Sequence, residues 1–401
     1  MIKARVRPQK PYLDDNNYWY VTRHADCKIV LSEGNSSKDF SHVDLDNIPV
    51  KGWIDSHLYN QSQKRIRGEA AVQLFITEDE PERSQVTRVI HNAFNTERLQ
   101  IISNSFESKM RELLDNSLNN NFDMINDLIN ILTEEYVMSI INVPEFNEFK
   151  SEMVDACRKG LYFYFGLGEH IEPLYDKVKE DYEKATKTLA DLMSHSVFDY
   201  FINPREESNL LSSLIPIFKD NLYLVAFNIV SVIITSLGLE SALCGLTATI
   251  LQDKELLNRL KNEEKILPSH MDELYRVSFY KPLLHRVLER DITIDDIVMK
   301  KGMIVTVDVT SAGFDPEVFP MPYEVDFSRP IKNTISYSYG LHNCLGRVIS
   351  RNLGALYINI LLEKVPDIKL TGDIQFLMVS QLVEPSYIPV QLRVDTQTDL
   401  V

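Results

Sequence analysis

Tyr337-Ser338-Tyr339-Gly340-Leu341-His342-Asn343-Cys344-Leu345-Gly346-Arg347 is the stretch on which the reading of the fold turns. It sets Cys344 between Gly340 and Gly346, just where a helical pattern runs from Leu345 to Lys364. In that pattern Leu345, Ile349, Leu353, Leu356 and Ile360 form one apolar stripe, and Pro366 closes it. A cysteine at the start of a helix meets free backbone amides and the positive end of the helix dipole, which favour the thiolate. Gly340 and Gly346 allow backbone to come close to a flat ligand. A thiolate in this setting is suited to binding iron. Two plainer readings stand beside that one. Cys344 as a buried structural cysteine is the first, and it is the default for Cys27, Cys157 and Cys244. Half of a zinc site from His342 and Cys344 is the second, although no second pair stands at ligand spacing.

Upstream, Glu273-Leu274-Tyr275-Arg276 puts acid and base three residues apart on one helical face. Alone, such a pair is ordinary surface decoration. It gains meaning from the residues downstream of it: Pro282, His285-Arg286, Asp315-Pro316-Glu317-Val318-Phe319-Pro320, Phe327-Ser328-Arg329, and then the cysteine loop.

The rest of the chain reads as mostly helical. Trp19-Tyr20-Val21-Thr22 has strand composition and Ala25 to Leu31 a helical one, whereas residues 41–78 show no sustained period, as in a functional loop. Helical periodicity starts at Pro81, with Val86, Val89, Ile90, Ala93 and Phe94 on one face, and persists to about Leu260. Breaks fall at Asn119–Asn121, Gly166–Glu169 and Asn203–Glu207. Short β segments are expected between Ile292 and Thr310. The fold class is therefore mainly α with a minor β-sheet region. No Pro/Gly/Ser linker divides residues 1–401, which read as one domain.

Composition narrows the function. A formal net charge of -16 over 401 residues opposes general nucleic-acid binding. Four scattered cysteines, with no Cys-x-x-Cys pair, fit neither a disulfide framework nor a zinc ribbon, and point to a reducing cytoplasm. Met1 to Tyr12 lacks the apolar core of a signal peptide. Leu222 to Leu251 approaches the length of a membrane span, but polar residues interrupt it and no basic cluster flanks it. It reads instead as the buried central helix of an α-protein, without membrane insertion.

The order of motifs from Glu273 to Arg351 resembles the cytochrome P450 family, in its soluble bacterial type. There a Glu-x-x-Arg helix, a downstream Arg, a Pro-rich aromatic segment and a Phe-x-x-Gly-x-His-x-Cys-x-Gly loop succeed one another. Trp19 to Arg23 resembles the family's early strand, Glu80-Pro81-Glu82-Arg83 the start of its C helix, and Leu222 to Leu251 its central I helix. The resemblance implies a triangular helical haem domain that binds haem b (iron protoporphyrin IX), with Cys344 as axial ligand. It implies haem propionates held by His342 and Arg286, with Arg83 in the place of a usual His and Arg88 in reserve. Glu273 and Arg276 become structural, locking the proximal core with a partner near Arg329. Tyr337 and Ser338 replace a usual Phe and Gly, which keeps an aromatic and a small residue beside the sulfur.

The central helix departs furthest from the family. A gapless count from Glu273 puts Leu237 and Gly238 where the family has an acid and an alcohol that relay protons. One turn later, Glu240-Ser241 supplies such a pair after Gly238. Both alignments remain open, as does a purely structural polar notch at Glu240 and Ser241.

The resemblance therefore implies a monooxygenase of secondary metabolism that hydroxylates or epoxidises an apolar small molecule. Electrons come from a ferredoxin or flavodoxin and its reductase, since no Gly-x-Gly-x-x-Gly stands after a strand. Arg88, Lys332, Arg347 and Arg351 are expected on the docking face for that partner. Residues 41–78, Tyr162 to Phe165, Leu283-Leu284 and Phe376 to Val379 are expected to line the substrate pocket. The alternative is a haem-thiolate enzyme of non-standard chemistry, such as peroxide-driven oxidation, coupling or rearrangement. A haem sensor without turnover and a cofactor-free helical binding protein are the remaining readings.

Overall fold

Pairing of short β-branched segments with strands far along the chain forms the first layer of the molecule. The structure is a computed structural model, and it describes residues 8–13, 18–38, 82–117, 122–164, 196–204, 209–220, 222–278, 283–379 and 382–392. The expected loop at 41–78, the breaks at Asn119–Asn121 and Gly166–Glu169, Pro282 and Phe165 lie outside the described residues.

In chain order the amino-terminal half contributes β1 (Tyr12–Leu13), β2 (Trp19–Val21), α1 (His24–Leu31), β3 (Ser36–Ser37), α2 (Glu82–Ala93), α3 (Thr96–Asn116) and β4 (Phe122–Asp123). A π-helical turn, Met124–Ile129, leads into α4 (Asn130–Ile141), followed by α5 (Lys150–Tyr164) and α6 (Leu210–Leu214). The centre holds α7 (Leu222–Ser236), α8 (Gly238–Gln252), α9 (Lys254–Asn262) and α10 (Met271–Val277). Next come β5 (Leu284–Leu288), β6 (Ile292–Ile294), β7 (Ile297–Met299), β8 (Ile304–Val307) and α11 (Val309–Gly313). The chain ends with α12 (Arg347–Lys364), β9 (Lys369–Leu370), β10 (Gln375–Val379), β11 (Leu382–Tyr387) and β12 (Pro389–Gln391).

The mixed sheet runs β1-β2-β8-β5-β3. The β2–β8 pair is parallel, with Tyr20 opposite Thr306, and the β5–β8 pair is antiparallel, with Arg286 opposite Val305. Val21, Val305 and Val307 are fully buried there, so this register places Arg286 on the sheet's central strand pair. A separate β10–β11 hairpin sets Leu377 opposite Glu384.

Helices form the larger core. Ile102, Phe106 and Met110 of α3, Leu132 and Ile141 of α4, Ile229 and Ile233 of α7, Leu243 and Leu246 of α8, and Leu353 and Tyr357 of α12 all belong to one buried cluster. At Gly354, α12 lies against α10, and a β-carbon there would meet the Tyr275 hydroxyl and the Met271 methyl, which would have to move aside.

The central apolar run is helical from Leu222 to Gln252, with its regular assignment interrupted at Leu237 alone, whose φ of -63° and ψ of -15° and i to i−4 bonds on either side remain helical. The hydroxyls of Thr235 and Ser236 donate back to the carbonyls of Ser231 and Val232, and Gly238 comes directly after. Hydroxyl back-bonding competes with the helical ladder and glycine weakens it, which fits an interruption at this point. Leu224–Gln252 is long and apolar enough to cross a membrane, but 72% of its most apolar window is buried within the protein. Its hydrophobicity therefore serves the core.

Candidate functional site

The cysteine loop is shaped by two left-handed residues. Ser338 has φ 68° and Gly340 φ 72°. Gly340 packs so tightly on the backbone carbonyl of Leu31 that a β-carbon has no room. Ser338 occupies a conformation that suits glycine better, at a cost of about 1–2 kcal/mol for an L-residue. The loop then turns through Gly340–His342, and the Cys344 amide donates to the Tyr337 carbonyl at 2.9 Å. α12 begins at Arg347 with Gly346 at its N-cap.

This geometry aims the backbone N–H groups of Gly346 and Arg347 at the Cys344 sulfur. Burial pushes the thiol's pKa up, while these amides and the Arg347 charge pull it back. Cys344 is nevertheless exposed, unlike Cys27, Cys157 and Cys244, which are buried. An exposed cysteine whose thiol is met by two backbone amides fits a ligand bound through iron. The other thiols are driven up by burial, as inert core cysteines are.

Behind the loop, Glu273 and Arg276 meet in a bidentate ion pair, with both contacts at 2.8 Å. Arg276 is 0% exposed. Its remaining donors reach the carbonyls of Gly313, Pro322 and Glu324, and its guanidinium lies 4.9 Å from the Phe319 ring centre. Arg329 donates to Glu273 at 3.1 Å, and the Asp326 amide does so at 2.9 Å. One buried carboxylate therefore ties α10 to the Pro-rich segment that enters the cysteine loop.

The other expected residues are spread over several elements. Tyr337 packs edge-on to Tyr275 at 6.0 Å. Arg286 is buried on β5 and donates to the His285 carbonyl at 2.8 Å, and His342 is half-buried at the end of its turn. Arg83 lies on α2, but its side chain is outside the described residues, as are those of Tyr162, Phe163 and Tyr164 on α5. Arg88 and Lys332 are exposed, whereas Arg347 and Arg351 are half-buried and paired with Asp272.

Glu240 sits in a network that its own sequence neighbourhood does not reveal. Arg158 of α5 grips its carboxylate at 2.9 and 3.1 Å through Nε and at 2.9 Å through a terminal nitrogen. Glu134 stands 3.8 Å from the same guanidinium. Burial raises the Glu240 pKa, and hydrogen bonds from Arg158 and Thr133 oppose the shift. Ser241 hydrogen-bonds Glu384 of β11, whose carboxyl is pushed up to about 7 by burial and by the charge of Glu240. Arg158 and Glu384 were not legible as site residues in the sequence, because one lies on a separate helix and the other on a hairpin strand. The nearest signal was an acid, Glu384, directly after the apolar pair Leu382-Val383.

Comparison with known proteins agrees with this architecture. The family model described as cytochrome P450 matches residues 250–364. The polyketide biosynthesis cytochrome P450 PksS of Bacillus subtilis is 22% identical over 383 residues, covering 89% of this chain and 85% of that protein. Mycocyclosin synthase of Mycobacterium tuberculosis is 30% identical over 189 residues, covering 44% of this chain and 47% of its own length. Among solved structures, epothilone D-bound cytochrome P450epoK superposes with a TM-score of 0.81 at 18% identity, covering 98% of this chain and 95% of that one. At that identity the likeness establishes the fold.

The buried charges can be tested one at a time. Glu273→Ala leaves Arg276 buried without its carboxylate, so unfolding titrations should show a loss of about 3–5 kcal/mol, with poor haem retention. A variant as stable and as haem-loaded as the parent would overturn the structural role. Glu384 gives a pH dependence. Because its folded pKa lies above its ordinary value, its protonated form is the one that folding favours. That contribution is complete below about pH 4.5 and is lost as pH rises through about 7, up to roughly 3 kcal/mol in all. Glu384→Gln should flatten the decline in melting temperature across this range, and an unchanged slope would place the titration elsewhere.

Proposed function

The chain belongs to the cytochrome P450 family, and from that premise we propose that it is a monooxygenase hydroxylating or epoxidising an apolar small molecule with dioxygen. Members of the family are oxidoreductases that bind haem b through a cysteine thiolate. The haem supplies the redox chemistry that activates dioxygen, and the protein supplies binding, orientation and protons. Residues 1–401 form a single haem domain in this reading. It draws electrons from a separate ferredoxin or flavodoxin and its reductase, works in the cytoplasm, and serves secondary metabolism.

Cys344 is the ligand in this proposal. The observation that carries it is the sulfur itself: accessible, at the start of α12, and met by the amides of Gly346 and Arg347. Tyr337, Gly340 and Gly346 shape the cradle. His342 and Arg286, with Arg83 as a third candidate, hold the propionates as cationic or N–H donors to carboxylates. Glu273 and Arg276 keep the loop in place.

Glu240 and Ser241 act as the acid–alcohol pair, together with Glu384. Arg158 grips the Glu240 carboxyl and opposes the upward pull of burial on its pKa, and the Ser241 hydroxyl bonds a carboxyl able to carry a proton near neutral pH. A buried set of this kind stores a proton at Glu384 and passes it through Ser241.

Cys344→Ser should abolish the band at roughly 450 nm of the reduced CO complex, because thiolate ligation produces it in this family. Singly substituting Cys27, Cys157 or Cys244 with Ala should leave the band intact. Its survival in Cys344→Ser would sink the assignment.

Glu240→Gln tests the relay. Reductase-driven turnover should fall by up to roughly 10²–10⁴-fold, with electrons diverted to peroxide, while peroxide-driven turnover should be spared, since peroxide already carries the protons. Equal turnover by both routes in variant and parent would make Glu240 structural. A parent protein inactive with reductase but active with peroxide would overturn the monooxygenase reading.

A further inference from the structure

One residue before Glu273, Asp272 anchors a second charge cluster. It is 3% exposed. Arg347 donates to one of its oxygens at 3.2 Å, and Arg351 pairs with the other. Both guanidiniums also lie over the Tyr337 ring, at 5.4 and 5.9 Å from its centre. Two cations share one carboxylate, so the cluster carries one positive charge in excess. Neither Nε, of Arg347 or of Arg351, has a hydrogen-bond acceptor among the described residues, so Asp272 is the counter-charge these cations have there.

The location of that excess gives it meaning. Arg347 is in the first turn of α12, three residues beyond Cys344, and its backbone N–H is one of the two that meet the sulfur. The ionisable groups packed around it are Asp272 and Tyr275 on α10, Tyr337 and Cys344 in the loop, and Arg351 on α12. Burial keeps both tyrosines neutral. The Arg347 charge lowers the pKa of the Cys344 thiol, and Asp272 is the opposing charge paired with it.

We propose that Arg347 is a tuning residue whose positive charge, metered by Asp272, sets how readily the haem iron bound at Cys344 accepts an electron. The inference rests on the reading of Cys344 as ligand. Reduction adds negative charge to the iron–thiolate unit, and a cation held in a poorly solvated surround favours the reduced form. Asp272 acts through Arg347, opposing it, and so has the reverse effect.

Spectroelectrochemical titration of the holoprotein tests this without turnover. In Arg347→Gln the ratio of reduced to oxidised protein at a fixed potential should fall about tenfold, equivalent to ~59 mV for a one-electron couple. Asp272→Asn should move the midpoint the opposite way, and Arg347→Lys, which keeps the charge, should stay within about twofold of the parent. Loosened packing alone would move Arg347→Gln and Asp272→Asn in the same direction. Shifts of one sign, no shift in Arg347→Gln, or failure of lysine to restore the parent value would each overturn the proposal. If Asp272→Asn does not fold, the Gln and Lys variants of Arg347 decide it. The CO complex separates the two readings. A parent lacking the thiolate band defeats the ligand assignment and this inference with it, whereas a parent showing the band with unmoved potentials defeats this inference alone.

Discussion

A guanidinium with no access to water must find an acceptor for every donor, and Arg276 imposes that constraint on everything around it. Its partners are the Glu273 carboxylate and three backbone carbonyls drawn from residues 313, 322 and 324. The Gly313 carbonyl is at the end of α11, where the last carbonyls have no helical partner, and those of residues 322 and 324 belong to irregular chain, which has no ladder of its own. The ion pair thus gives the segment between α11 and the cysteine loop the hydrogen bonds that regular structure supplies elsewhere. Arg329 and Asp326 complete the arrangement by bonding the same carboxylate. The position of Cys344 depends on this stack, because the loop is a continuation of the segment it holds.

The same polypeptide then uses buried charge in three separate clusters. Glu273 is shared by Arg276 and Arg329 and ties α10 to the segment before the cysteine loop. Asp272, with Arg347 and Arg351, is unbalanced toward positive charge beside the sulfur. Glu240, Glu134 and Glu384 outnumber Arg158, so that cluster is unbalanced toward negative charge, and one carboxyl responds by retaining its proton. Burial makes each imbalance consequential, since a surface surplus of the same size is screened by water and salt.

The polar residues of the central helical run divide into two groups. Thr235 and Ser236 turn their hydroxyls to their own backbone, while Glu240 and Ser241, just past Leu237, bond to α5 and β11.

Local pattern was enough for much of the fold. The period of 3.6 located α2 and α12, β-branched composition located β2 and the short strands before Thr310, and the order of Glu273, Arg276 and Cys344 named the family. These features are legible because each depends on neighbours in sequence: a helix face, a strand run, a cysteine at a helix start. The partners of Glu240, Ser241 and Arg347 were not legible, because they come from α5, β11 and α10, and a single sequence carries no sign of which distant elements will touch. Sequence alone thus determined the kind of molecule and its candidate iron ligand. Tertiary packing decided which buried charges meet and in what ratio, because that depends on which side chains from separate elements share a site sheltered from water.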